Sequence, residues 1–176
     1  MLIDVWRMLA RRYSKDSTVV GAYMFNEPGL VGPPVPIDEF FHRTAAALHA
    51  ENPHLLLIFE DSGATPVTRR PKFANAVYSF HVYKTKWLSY AQEHLDKARR
   101  WNLPAWVGEF QTYGPKEQPD GGDGFVAMTE PFLAFMKAQK LGWSYWAYER
   151  AARSLGGEGG QGPVNVQAVK LLRDAF

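Results

Sequence analysis

Two glutamates, Glu27 and Glu109, each close an apolar run. The first run is Val19-Val20-Gly21-Ala22-Tyr23-Met24-Phe25-Asn26-Glu27-Pro28, and the second is Ala105-Trp106-Val107-Gly108-Glu109-Phe110. β-Branched and aromatic residues dominate both, so both read as buried strands. Pro28 cannot continue a central ladder, and it is expected to hold Glu27 extended. On Asn26-Glu27-Pro28 alone, a strand that simply meets solvent is an equal reading. The other apolar runs tip the balance. His54 to Phe59 ends in Glu60-Asp61, and Ala76 to Tyr83 carries His81 and Tyr83. If these strands are parallel, their carboxyl ends share one side, where α/β barrels place their chemistry. Two carboxyl groups there suit a general acid and a nucleophile. One must stay protonated while the other stays ionised, so their surroundings must differ. Gly108 permits close backbone approach beside Glu109. Glu60, Asp61 and Glu149 read as solvated strand ends, with a distal subsite as the lesser alternative. His42, His49, His54 and His94 show no ligand spacing, so no metal and no cofactor is expected.

Helices must position these strands. Leu2, Val5, Trp6, Leu9 and Tyr13 recur at three- and four-residue steps and predict an amphipathic helix. A strand then opens at about Thr18. Gly29 to Pro36 is irregular. A helix starts at Asp38 with Phe40/Phe41, Thr44, Ala45 and Leu48 inward, and Asn52-Pro53 stops it. Ser62 to Asn75 is loop with at most a short helix. Trp87, Leu88, Ala91, Leu95 and Ala98 mark a long helix ending at Asn102-Leu103-Pro104. Trp87 itself reads equally as helix face or loop. After the Glu109 strand, Gln111 to Gly124 is a Gly-rich loop long enough to cover a site. Helix follows from about Phe125 to Lys140, broken or restarted at Pro131, with Gly142 suiting its C-terminus. Gly142 to Glu149 is a fifth strand, Arg150 to Gly162 a Gly-rich loop, and Asn165 to Phe176 a last helix. Apolar strands alternating with helices imply an α/β fold with a parallel sheet. All 176 residues read as one domain.

Composition excludes several classes. A net charge of +2 argues against a polyanionic partner such as nucleic acid. With no cysteine there is no disulfide, thiolate zinc site or thiol nucleophile. No apolar run is long enough for a membrane span. Asp4 and Arg7 interrupt the first apolar residues at helical spacing, so the N-terminus does not read as a signal peptide. Six Trp, eight Tyr and eleven Phe make the aromatic content high; aromatics serve cores and also form platforms on which sugar rings stack.

Asn26-Glu27-Pro28, His81-x-Tyr83, Gly108-Glu109-Phe110 and Trp143-x-x-Trp146, in that order and each on a strand, resemble glycoside hydrolase family 5. That is a family of cellulases, mannanases and endoglycoceramidases in the large retaining clan of (β/α)8 barrels. The resemblance runs from the first helix to about Glu149. It implies a partial TIM barrel whose five strands correspond to strands 4–8 of the family, with flanking helices. It implies Glu27 as acid/base and Glu109 as nucleophile in hydrolysis of a β-linked polysaccharide such as β-1,4-glucan. By the same resemblance Asn26 would bind the sugar 2-hydroxyl, and His81 and Tyr83 would line the cleaved-bond subsite. Tyr83 would hold Glu109, and Trp146 would stack beneath the sugar. Trp143, three residues away, is expected to face the core. Family members are mostly secreted.

Strands 1–3 of such a barrel have no counterpart here, nor do the family's arginine and histidine on strands two and three. The expectation is therefore a weak or inactive hydrolase unless the sheet is completed, by a second copy or by a missing N-terminal half. Two copies would give ten strands rather than eight. The alternative is a non-catalytic carbohydrate-binding or assembly half-barrel.

Overall fold

The structure, a computed structural model, describes residues 1–29, 36–83, 87–110, 123–146 and 166–175. Five helices and five strands are described: α1 (Leu2–Arg12), β1 (Gly21–Tyr23), α2 (Ile37–His49), β2 (Leu56–Glu60), β3 (Ala76–Val82), α3 (Trp87–Arg100), β4 (Ala105–Phe110), α4 (Asp123–Gln139), β5 (Gly142–Tyr145) and α5 (Val166–Asp174). The strands run parallel in one sheet, in the order β1-β2-β3-β4-β5. This is the expected α/β alternation, and the segment between β2 and β3 is loop without a helix. No helix among the described residues is long and apolar enough to cross a membrane. Contacts divide the chain into two compact units, Met1–Phe80 with Ala98–Ala105 and His81–Lys97 with Trp106–Phe176.

In the first unit, β1 pairs with β2 through Gly21↔Leu56 and Tyr23↔Ile58, and β2 pairs with β3 through Leu57↔Ala76 and Glu60↔Ser79. The amphipathic period of α2 buries Ile37, Phe41, Thr44, Ala45 and Leu48. Phe41, Phe59 and Tyr78 meet edge-on at 5.6–5.8 Å, the offset geometry that aromatic quadrupoles favour. Arg11 of α1 makes a two-pronged ion pair with Glu51 beyond α2, at 2.7 and 3.0 Å. It lies at the surface, where such pairs contribute little.

Two sequence expectations for this unit need correction. The first helix forms as the spacing demands, but Leu2, Val5, Met8 and Tyr13 stay exposed, and Ala10 is its one buried residue. Helical period fixes a face without supplying something to cover it. The opening strand is also shorter than its apolar run. Val19 and Val20 are exposed, and only three residues ladder before Met24 N–H adds one bond to Ile58 O.

In the second unit, β4 pairs with β5 through Trp106↔Gly142, Val107↔Trp143 and Phe110↔Tyr145, with a bulge between Val107 and Phe110. Phe110 is the centre of its core, with Phe132, Trp143 and Tyr145 all edge-on within 5.2–5.5 Å. Trp143 thus faces the core, as alternation requires. Pro131 does not break α4, which runs through it. Proline forfeits one backbone bond there, while Phe132, Leu133 and Met136 just beyond it are buried and hold the turn in place. Nor does Gly142 end this helix. Lys140 takes the left-handed backbone (φ 55°), with Lys140 N–H bonded to Lys137 O and Leu141 N–H to Met136 O. This is a Schellman closure, and it leaves Gly142 to begin β5. Asn102 (φ 51°) closes α3 in the same way. The expected loops around 30–35, 111–122 and 150–162 lie outside the described residues. So do Glu149, the end of the fifth strand, Phe176 and the Trp87 side chain.

Candidate active site

The first unit carries Asn26 and Glu27 directly beyond the carboxyl end of β1. Asn26 is exposed and Glu27 half-buried. Glu27 is not extended, as the following proline suggests, but has φ 44°. A non-glycine residue there costs about 1–2 kcal/mol. Proline favours extended backbone before it, so a bond from elsewhere must offset that preference here. Glu27 N–H donates to Glu60 Oε2 at 2.7 Å. The same oxygen accepts from the Tyr23 hydroxyl at 3.1 Å. That hydroxyl also shares a 3.0 Å hydrogen bond with Ser79 Oγ.

Glu60 and Asp61 are therefore not a solvated strand end. They are 1% and 2% exposed. Asp61 accepts from the Tyr78 hydroxyl at 2.5 Å and from Val67 N–H at 2.8 Å, pinning the loop after β2. Apolar periodicity is blind to this arrangement. The available signal was the tyrosines Tyr23 and Tyr78 on the two neighbouring strands, each able to satisfy a buried carboxyl group.

Gly29, two residues past Glu27, has φ 79°, and a Cβ there would lie 1.8 Å from Thr65 Oγ1. Neither the backbone nor the space admits a side chain. Gly29→Ala is expected to destabilise the chain by about 2 kcal/mol or more, read from the urea midpoint at constant slope. An unchanged midpoint would show that this turn rearranges freely.

The second unit carries His81, Tyr83 and Glu109. The Tyr83 hydroxyl donates to Glu109 Oε2 at 2.6 Å. His81 Nδ1 stands 3.5 Å from the same oxygen, and the His81 and Tyr83 rings meet edge-on at 6.3 Å. His81 is buried, Glu109 half-buried and Tyr83 exposed at its rim. Two side chains, Tyr83 and His81, thus converge on one oxygen of Glu109. The bulge in β4 falls at Gly108-Glu109, and extra residues of this kind re-aim side chains beside functional sites. Trp146, 49% exposed, extends the β4/β5 ladder by donating its N–H to Phe110 O. An exposed indole at a strand end offers a flat apolar face to solvent.

The family model for cellulase, glycosyl hydrolase family 5, matches residues 1–152. No curated protein matches the sequence. Among solved structures the chain is similar to the catalytic domain of Thermobifida fusca endoglucanase Cel5A, with TM-score 0.72 and 18% identity over 99% of this chain and 62% of that one. It is similar to Pseudomonas stutzeri endoglucanase Cel5A, with TM-score 0.73 and 15% identity over 99% and 60%. It is also similar to endo-glycoceramidase II from Rhodococcus sp., solved as its lactosyl-enzyme intermediate, with TM-score 0.66 and 17% identity over 97% and 44%. These likenesses show the fold, and the chain spans only about half to two thirds of the length of those structures. The five parallel strands with their flanking helices are part of a (β/α) barrel. With a family match over most of its length, the chain belongs to the cellulase family, glycosyl hydrolase family 5.

Proposed function

We propose that this chain carries the catalytic carboxyl groups of a retaining endo-β-glycosidase acting on β-1,4-glucan or a related polysaccharide. The observation that carries the proposal is the Glu109 carboxyl group, gripped by Tyr83 at 2.6 Å with His81 beside it. In the first step a Glu109 oxygen attacks the anomeric carbon. The glycosidic C–O bond breaks, and its oxygen takes the proton of Glu27. In the second step water attacks that carbon, Glu27 takes the water's proton, and the bond to Glu109 breaks. Asn26 binds the 2-hydroxyl, His81 and Tyr83 line the cleaved-bond subsite, and Trp146 stacks on a sugar face.

A single-turnover experiment tests this reading even where turnover is slow. The chain is incubated with a dinitrophenyl β-cellobioside fluorinated at the second carbon of the attacked sugar. Fluorine slows the second step more than an activated first step, so a glycosyl adduct should accumulate. Mass spectrometry of a digest should find it on Glu109. An adduct on another residue would remove Glu109 from the nucleophile's place, and none, while cello-oligosaccharides still bind, would favour a non-catalytic carbohydrate-binding module.

Tyr83→Phe keeps the ring and removes the bond to Glu109. Losing a hydrogen bond to a charged group costs about 1.5–3 kcal/mol. Adduct formation should slow by about ten- to a hundred-fold with no change in unfolding midpoint. A rate equal to wild type would remove Tyr83 from the site.

The same reading makes the isolated chain a weak enzyme that gains activity when its sheet is completed, by a second copy or by an N-terminal portion of such a barrel. Light scattering of the folded chain should then give a mass above one protomer. A mass equal to one chain in a well-folded sample would overturn this association.

A further inference from the structure

The proposed mechanism gives Glu60 no task, yet Glu60 is among the most buried polar side chains in the first unit. We propose that Glu60 is the positioning residue of Glu27. Among the described residues, the non-glycine residues with positive φ are Glu27, Asn75, Asn102 and Lys140. Asn102 and Lys140 close helices, and Asn75 immediately precedes β3. Asparagine tolerates this conformation, and helix C-termini commonly demand it. Glu27 has neither excuse. Its left-handed backbone is instead secured from outside, by the 2.7 Å bond from its N–H to Glu60 Oε2. Glu60 can serve as a fixed anchor because it lies in the β2 ladder opposite Ser79 and accepts from Tyr23 at the same oxygen.

The consequence for chemistry follows from backbone rotation. Without this acceptor, Glu27 would relax toward the extended backbone normal before proline. Turning φ from 44° to the extended region swings Cβ, and the carboxyl group with it, relative to β1. A displacement of about 1 Å at a reacting group can cost about a hundred-fold in rate. This inference rests on reading Glu27 as the acid/base, so its test separates the two.

Two variants bracket the bond. Glu60→Gln keeps an oxygen that can accept, and Glu60→Leu keeps bulk without an acceptor. The first readout needs no activity. In amide-resolved spectra of the chain, the Glu27 proton should be shifted far downfield and exchange slowly. Glu60→Gln should move it upfield while leaving Met24, bonded to Ile58 O, in place. An unmoved Glu27 amide in Glu60→Gln overturns the proposal, whether or not Glu60→Leu folds.

The second readout compares phenyl and dinitrophenyl β-cellobiosides. A phenyl leaving group needs a proton from the acid, and a dinitrophenyl group does not. Glu60→Leu should lose about a hundred-fold in the first step on the phenyl substrate and little on the dinitrophenyl one, with Glu60→Gln within about ten-fold of wild type on both. Equal losses on both substrates would mean general damage and overturn positioning. Glu27→Gln runs alongside. If it shows the leaving-group bias and Glu60→Leu does not, the positioning role falls alone. If Glu27→Gln shows no bias, the acid/base reading falls and takes the catalytic role of Glu60 with it.

Discussion

Glu109→Gln should abolish covalent labelling and lower hydrolysis of soluble β-1,4-glucan by about ten-thousand-fold or more. Removing a nucleophile forfeits the two-step route itself, and such losses reach about a million-fold elsewhere. Glutamine is close in shape, so the Tyr83 hydroxyl can still donate to its amide oxygen. The fold should survive, and the unfolding midpoint should stay near that of wild type. The measurement is the adduct mass after long incubation, beside reducing-sugar release from glucan. Because Glu109 lies in the bulge of β4, its backbone is set by Gly108 and the shifted register, which the substitution leaves alone. Labelling that persists in Glu109→Gln would remove Glu109 from the nucleophile's place.

Glu27→Gln should fail differently. General acid catalysis contributes about a hundred- to ten-thousand-fold, and its loss falls on substrates whose leaving group needs the proton. Hydrolysis of glucan and of phenyl cellobioside should fall by that factor. Dinitrophenyl cellobioside should still release its phenolate in the first step, because that anion leaves unaided. The second step then lacks its base, so a burst should precede slow turnover. Azide, a small nucleophile needing no deprotonation, should speed that turnover and yield a β-glycosyl azide. An equal loss on both leaving groups, with no effect of azide, would overturn the role of Glu27. The two variants together assign each carboxyl group its step, which loss of activity alone cannot do.

The strands and helices were legible in the sequence because continuous apolar runs mark the buried strands and three- and four-residue steps mark the helices. Leu57 and Phe59 alternate inward, and Phe41, Thr44, Ala45 and Leu48 step around one helical face. The pairing of Tyr83 with Glu109 was legible through the family resemblance, and the hydrogen bond bears out that contact. Three things were not legible, each for a physical reason. The burial of Glu60 and Asp61 depends on tyrosines from neighbouring strands, and no one-dimensional pattern contains that pairing. The left-handed backbone of Glu27 depends on the same long-range bond overriding a local proline preference. The bulge in β4 is a property of register between two strands, and Gly108 gave only permission for it.

The left-handed residues divide the sheet into two regimes of selection. Before β4 and β5 the backbone makes a local demand at Asn102 and Lys140, each of which closes a helix. Any residue content with positive φ serves there, so heat resistance and activity favour the same substitutions. Beyond β1 the two pull apart. A library of position 27 variants screened for melting temperature alone should drift toward glycine or asparagine, which fit the backbone. Screened for glucan hydrolysis, it should return glutamate.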